Sequence, residues 1–165
     1  MLTIRDAGPG DAPLLLRFIR ALADYEHLAH EVRATEEDLA RTLFGEPRYA
    51  RAIIASWSGE PAGFALYLFN FSTFLARPGL YLEDLFVLPE QRGRGIGKAL
   101  LIELARRARA ADCGRMEWAV LDWNEPAIRF YESLGATPMD QWRTFRLTRA
   151  ALGALADGAL PSAGG

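Results

Sequence analysis

The stretch Val87-Leu-Pro-Glu-Gln-Arg-Gly-Arg-Gly-Ile-Gly-Lys98 decides how the chain is read. Before it, Leu80 to Leu88 is nearly all apolar except Glu83 and Asp84, and Pro89 ends the run, which predicts a central strand. After it, Leu100, Leu101, Leu104, Ala105 and Ala108 recur at helical spacing. A strand, a glycine turn and a helix therefore follow one another. The first N–H groups of a helix have no intrahelical partner, and its dipole favours an anion there. Glycines remove the Cβ atoms that would hold a phosphate away. Residues 91–115 carry seven basic and two acidic side chains, a local surplus that suits a diphosphate. A plain glycine-rich turn opening a helix remains an alternative.

Two nucleotide motifs fail here. A P-loop needs glycine where Arg92 stands, and Ala99 replaces its Ser or Thr. The dinucleotide fingerprint needs G-x-G-x-x-G, whereas this turn reads G-x-G-x-G.

Outward from the turn, Leu2–Arg5 alternates as a first strand, and Asp11 is placed to cap a helix running to about Tyr25. Thr35-Glu-Glu-Asp38 is a capping-box pattern opening a second helix. The apolar runs 49–57 and 62–71 flank Ser58-Gly-Glu-Pro61 as an antiparallel hairpin. Downstream, Arg115–Leu121 predicts a strand and Asn124 a helix N-cap, with Gly135 closing that helix. Thr144–Leu147 is a last strand candidate. The expected architecture is one α/β (α+β) domain over residues 1–152, with a flexible tail over 153–165.

The whole-chain numbers agree. The chain has 165 residues, half of them hydrophobic, and a formal net charge of −2. That is a one-domain length, and the balance argues against a nucleic-acid binder. One cysteine, Cys113, and two histidines leave no Cys-rich or His-rich metal centre, so no metal is expected. No apolar run is long enough to span a membrane, and no leader pattern opens the chain, so a cytoplasmic protein is expected.

At this point a resemblance becomes specific. Arg92-Gly-Arg-Gly-Ile-Gly97, after a strand ending Val87-Leu-Pro89, resembles the acyl-CoA motif of the GNAT N-acetyltransferases. Tyr81–Val87, Asp122–Tyr131 and Gly135-Ala136 resemble their diamine (spermidine/spermine) N-acetyltransferase branch, which includes thialysine acetyltransferases. Tyr25-Glu26 and Thr35–Leu39 fit the same branch. The resemblance implies a mixed central sheet of about six or seven strands flanked by about four helices, and acetyl-CoA as co-substrate. It implies backbone contacts to the coenzyme arm from Leu85, Phe86 and Val87. Arg92, Gly93, Arg94, Gly95, Ile96, Gly97 and Lys98 would cradle the pyrophosphate. Asn124, Glu125 and Pro126 would contact the coenzyme arm, and Tyr131 would face the sulfur as general acid.

The chemistry needs a neutral amine, while an alkylammonium has a pKa near ~10.4. Glu83 is the expected base, because burial in an apolar strand raises a carboxylate pKa; Asp84 is expected on the opposite face. Tyr25 and Glu26 match the family's amine-binding pair. Asp24, Glu26, Glu31, Glu36, Glu37 and Asp38 against one Arg33 suggest an acidic rim for a small polycation. Phe69, Phe71, Phe74, Trp123 and Trp142 are candidates for lining its methylenes. The implied activity is direct acetyl transfer to a primary amine of a small polyamine or diamine by a homodimer. Thialysine or another lysine-like amino acid, a protein amine, and a regulatory CoA-binding module without transfer are the competing readings.

Overall fold

The computed structural model describes residues 1–159, in two compact units, Met1–Leu121 and Asp122 onward. The first unit holds one five-stranded sheet in the order β1-β2-β3-β4-β5. Its strands are β1 (Leu2–Asp6), β2 (Arg51–Trp57), β3 (Glu60–Ser72), β4 (Arg77–Val87) and β5 (Arg115–Trp118). The first four are antiparallel neighbours, and β5 joins β4 in parallel. Helices α1 (Ala12–Tyr25) and α2 (Glu36–Phe44) precede β2, and α3 (Ile96–Ala110) connects β4 to β5.

Local chemistry sets most boundaries. Thr35 Oγ1 accepts from the Asp38 amide while Asp38 accepts from the Thr35 amide, so the capping box is closed. Ser58 and Gly59, both with positive φ, turn β2 into β3. Asp11 differs from its expected role. Its carboxylate accepts from the Gly8 amide and from both Arg5 guanidinium nitrogens, at 2.7 and 2.8 Å, so it ties β1 to the short turn Pro9–Asp11 rather than capping α1.

One sheet face carries Ala52, Ile54, Phe64, Leu66 and Phe86, packed with Leu15, Leu16 and Phe18 of α1 and Leu39 and Leu43 of α2. Phe18 and Phe64 stack at 5.4 Å. On α3, Ile96, Leu100, Leu101, Leu104 and Ala108 are buried. Arg107 of that helix bonds Tyr67 of β3, Asp6 of β1 and its own neighbour Glu103.

The second unit holds α4 (Glu125–Ser133) and α5 (Arg149–Ala156). Two expectations are corrected here. Thr144–Leu147 is irregular backbone, with Phe145 exposed, so among the described residues the sheet has five strands rather than six or seven. A fifth helix lies beyond it, started by Thr148, whose hydroxyl accepts from the Ala151 amide. The tail expected from residue 153 thus begins inside α5, and residues 160–165 of it lie outside the described residues.

Candidate active site

The glycine turn has the backbone its composition calls for. Gly93 and Gly95 adopt φ of +77° and +76°, the left-handed region costly to other residues. No atom lies within 4 Å of where a Cβ would stand at either one, so both face open space. Gly95 is the N-cap of α3, which presents the free amides of its first turn there. Lys98 is exposed within that turn.

The two arginines of the turn are turned elsewhere. Arg92 Nε donates to the Val87 carbonyl at 3.0 Å, and its guanidinium lies over the rings of Tyr25, at 4.7 Å, and Phe86, at 5.6 Å. Arg94 lies over the Trp57 ring at 5.3 Å. Arg92 therefore braces the end of β4 against the end of α1. The amides and Lys98 are left as the groups facing an anion.

Strand β4 departs from simple alternation. Leu66 pairs with Asp84 but Tyr67 pairs with Leu82, so Glu83 is an extra residue, a β-bulge. Cross-strand partners share a face. Asp84 therefore lies on the face of Leu66 and Phe86, toward α1 and α2, whereas Leu82 lies with Tyr67 on the face toward α3. Uninterrupted alternation would have put Leu82 and Asp84 together. Pairing with β5 ends at Leu82 and Trp118, so β4 from Glu83 to Val87 has an edge with no strand beside it among the described residues.

Burial falls on Asp84 rather than on Glu83. Glu83 is exposed. Asp84 is half-buried, and its pKa is pushed up to about 6, first by desolvation and then by the charges of Glu83 and Glu26. Burial raises Glu26 as well. Both line a cavity of about 360 Å³ with Glu83, Glu31, Arg33 and the apolar side chains Ile19, Leu22, Leu28 and Val32. Sequence reasoning placed Glu26 and Glu83 here. It put Asp84 on the wrong side, because a bulge leaves no mark in residue types, and gave Arg33 no role. The aromatic candidates Phe69, Phe71 and Phe74 are exposed on the β3–β4 hairpin and do not line this cavity. Cys113 is half-buried with its thiol pKa raised by burial, which suits an unreactive thiol.

In the second unit, Asn124 is buried and caps α4, its Oδ1 accepting from the Ala127 amide at 3.4 Å, with Pro126 in the first turn. Tyr131 is on the last turns of α4, half-buried, its ring 5.5 Å from that of Phe130. Gly135, with φ of +90°, closes the helix.

Residues 16–136 match the model of the acetyltransferase (GNAT) family. The chain is a GNAT acetyltransferase. It is 40% identical to a thialysine N-epsilon-acetyltransferase of Bos taurus over 164 residues, covering 93% of this chain and 96% of the relative. It is 33% identical to a spermidine/spermine N(1)-acetyltransferase-like protein of Homo sapiens, over 88% of this chain and 22% of that longer protein. Among solved structures, an integron cassette protein from the mobile metagenome of V. cholerae superposes with a TM-score of 0.78 at 30% identity, over 94% of this chain and 97% of the other. The GNAT assignment makes this chain an N-acetyltransferase, and GNAT acetyltransferases use acetyl-CoA. The open glycine turn, the first-turn amides of α3 and the unpartnered β4 edge fit that molecule's diphosphate and amide-bearing arm.

Proposed function

We propose that this acetyltransferase transfers an acetyl group from acetyl-CoA directly to a primary amine of a small cationic molecule. The observation that carries the reading is the convergence of Glu26, Glu83 and Asp84 on one cavity at the strand that runs into the glycine turn. Bound acetyl-CoA supplies an activated acetyl thioester. The amides of Gly93–Lys98 hold its diphosphate, and the backbone of Leu85, Phe86 and Val87 takes its arm along the unpartnered edge. Asn124, Glu125 and Pro126 contribute from the start of α4.

Glu26, Glu83 and Asp84 draw in the ammonium group. Ile19, Leu22, Leu28 and Val32 shed water from its methylenes. Before attack the amine must lose a proton, and the Glu83/Asp84 pair takes it. Raised proton affinity brings Asp84 closer to the working pH, which favours general-base action. The C–N bond forms as the thioester C–S bond breaks, and Tyr131 holds a proton for the departing thiolate. Tyr25 acts through Arg92, fixing the end of α1 that carries Glu26.

Two acceptor classes carry such an amine: diamines and polyamines, and amino acids ending in an amine, as thialysine does. The names of the two relatives above include both. The protein works as a homodimer in the cytoplasm; apolar Phe71, Phe74 and Leu75 exposed on the β3–β4 hairpin support self-association. No helix among the described residues is long and apolar enough to cross a membrane. Purified protein, acetyl-CoA and a panel of amines, followed by release of free thiol, test the reading. Coenzyme binding without thiol release for any amine would establish a binding module instead.

A further inference from the structure

The cavity that receives the amine is not purely anionic. Glu26 comes from the end of α1, Glu83 and Asp84 from β4, and Glu31 and Arg33 from the segment joining α1 to α2. Arg33 is exposed and makes no ion pair among the described residues. Glu31, two residues earlier, lies 3.3 Å from His30. A polyamine presents only cations and would meet Arg33 as a like charge. A zwitterion presents a carboxylate as well, and a guanidinium is the side chain that binds a carboxylate with paired hydrogen bonds.

We infer that the acceptor is an α-amino acid whose side chain ends in a primary amine, and that Arg33 selects it by pairing with its carboxylate. The reacting amine then lies with Glu83 and Asp84, and the α-ammonium is left to Glu31 on the segment that carries Arg33. Apolar Ile19, Leu22, Leu28 and Val32 accommodate the methylenes between the two charged ends. A volume of about 360 Å³ is at the small end of ligand cavities, which begin near ~300 Å³, and suits one amino acid. This inference rests on the amine-acetyltransferase reading above and deepens it.

The test compares matched acceptors that differ only in the carboxylate: L-ornithine with putrescine, and L-lysine with cadaverine, with thialysine and spermidine alongside. Full-length protein and its Arg33→Ala, Arg33→Lys and Arg33→Glu variants are assayed with acetyl-CoA. The unaltered protein is expected to favour the amino acid of a pair by about tenfold or more in kcat/KM. Arg33→Ala should erase that preference through KM, raising it for the amino acid about tenfold and lowering it for the diamine, which then no longer meets a like charge. Arg33→Lys should restore part of it, and Arg33→Glu should turn preference toward the diamine. A preference for diamines in the unaltered protein, or an amino-acid-to-diamine ratio that Arg33→Ala leaves unchanged, overturns the inference while acetyl transfer itself stands. Failure to acetylate any amine overturns both.

Discussion

The Arg92 guanidinium lies 4.7 Å from the centre of the Tyr25 ring while its Nε holds the Val87 carbonyl. A residue of the glycine turn is thereby fastened to the helix end that presents Glu26. Arg92 is exposed, so the cation–π contact contributes about 0.5–1 kcal/mol and the hydrogen bond about 1 kcal/mol. Arg92→Ala should lower Tm and raise KM for acetyl-CoA and amine together, by about three- to tenfold each. Thermal melts and two-substrate kinetics check this; a rise confined to acetyl-CoA would instead mark Arg92 as a simple phosphate ligand.

Asp84 should shape both activity and stability with pH. Its pKa of about 6 in the folded state exceeds the ordinary carboxylate value, so the native protein binds the proton more tightly than the unfolded chain. The contribution of Asp84 to stability is therefore greatest below the unfolded value near ~4, falls as pH rises through the window to about 6, and stays lower above it. Asp84→Asn should add about 2 kcal/mol near pH 7.5 and nothing near pH 3.5, read from denaturant melts at both values.

The same group should set the acid limb of kcat/KM. Unaltered enzyme should lose activity below about pH 6. Glu83→Gln removes one of the charges that raise Asp84, so the limb should move to lower pH while kcat falls. A limb that does not move would separate Glu83 from the proton-accepting pair.

Tyr131→Phe should reduce kcat by about 10²-fold or more, the usual scale for losing a general acid, with CoA affinity within about twofold. Stopped turnover and calorimetric titration with CoA distinguish this from a binding role, in which both would drop together.

Gly95→Val forces a β-branched residue to a φ of +76°, at a cost of about 2 kcal/mol or more, and points a side chain into the space left for an anion. Coenzyme affinity should fall further than stability does. Phe74→Glu, at the tip of the β3–β4 hairpin, should leave folding intact and shift a dimer toward monomer in light scattering.

Much of this architecture is legible in residue types, and the exceptions have physical causes. The strand, glycine turn and α3 follow from an apolar run, a breaker and a 3.6-residue period, all local signals. The capping box at Thr35 and the Asn124 cap are likewise written in single side chains. The bulge at Glu83 is not, because it depends on how β3 and β4 are paired, a relation between segments. It moved the desolvated carboxylate from the expected Glu83 to Asp84. An exposed arginine in an acidic segment, as Arg33 is, reads as surface; only the shared cavity gives it a neighbourhood. Thr144–Leu147 has strand-forming residues but no strand beside it, while the Ala- and Leu-rich run after Thr148 coils on its own propensity.

The extra residue in β4 also makes the order of its two acids matter. Removing Glu83 would delete one carboxylate and the bulge together, leaving Leu82 opposite Tyr67 and Asp84 opposite Leu66, still on the side of α1 and α2. Exchanging the two residues would be no mild rearrangement either: the longer acid would occupy the confined position and the shorter one the open position. An alignment that scores Glu-Asp and Asp-Glu as near equivalents would miss that the order of the letters fixes which acid is the more buried.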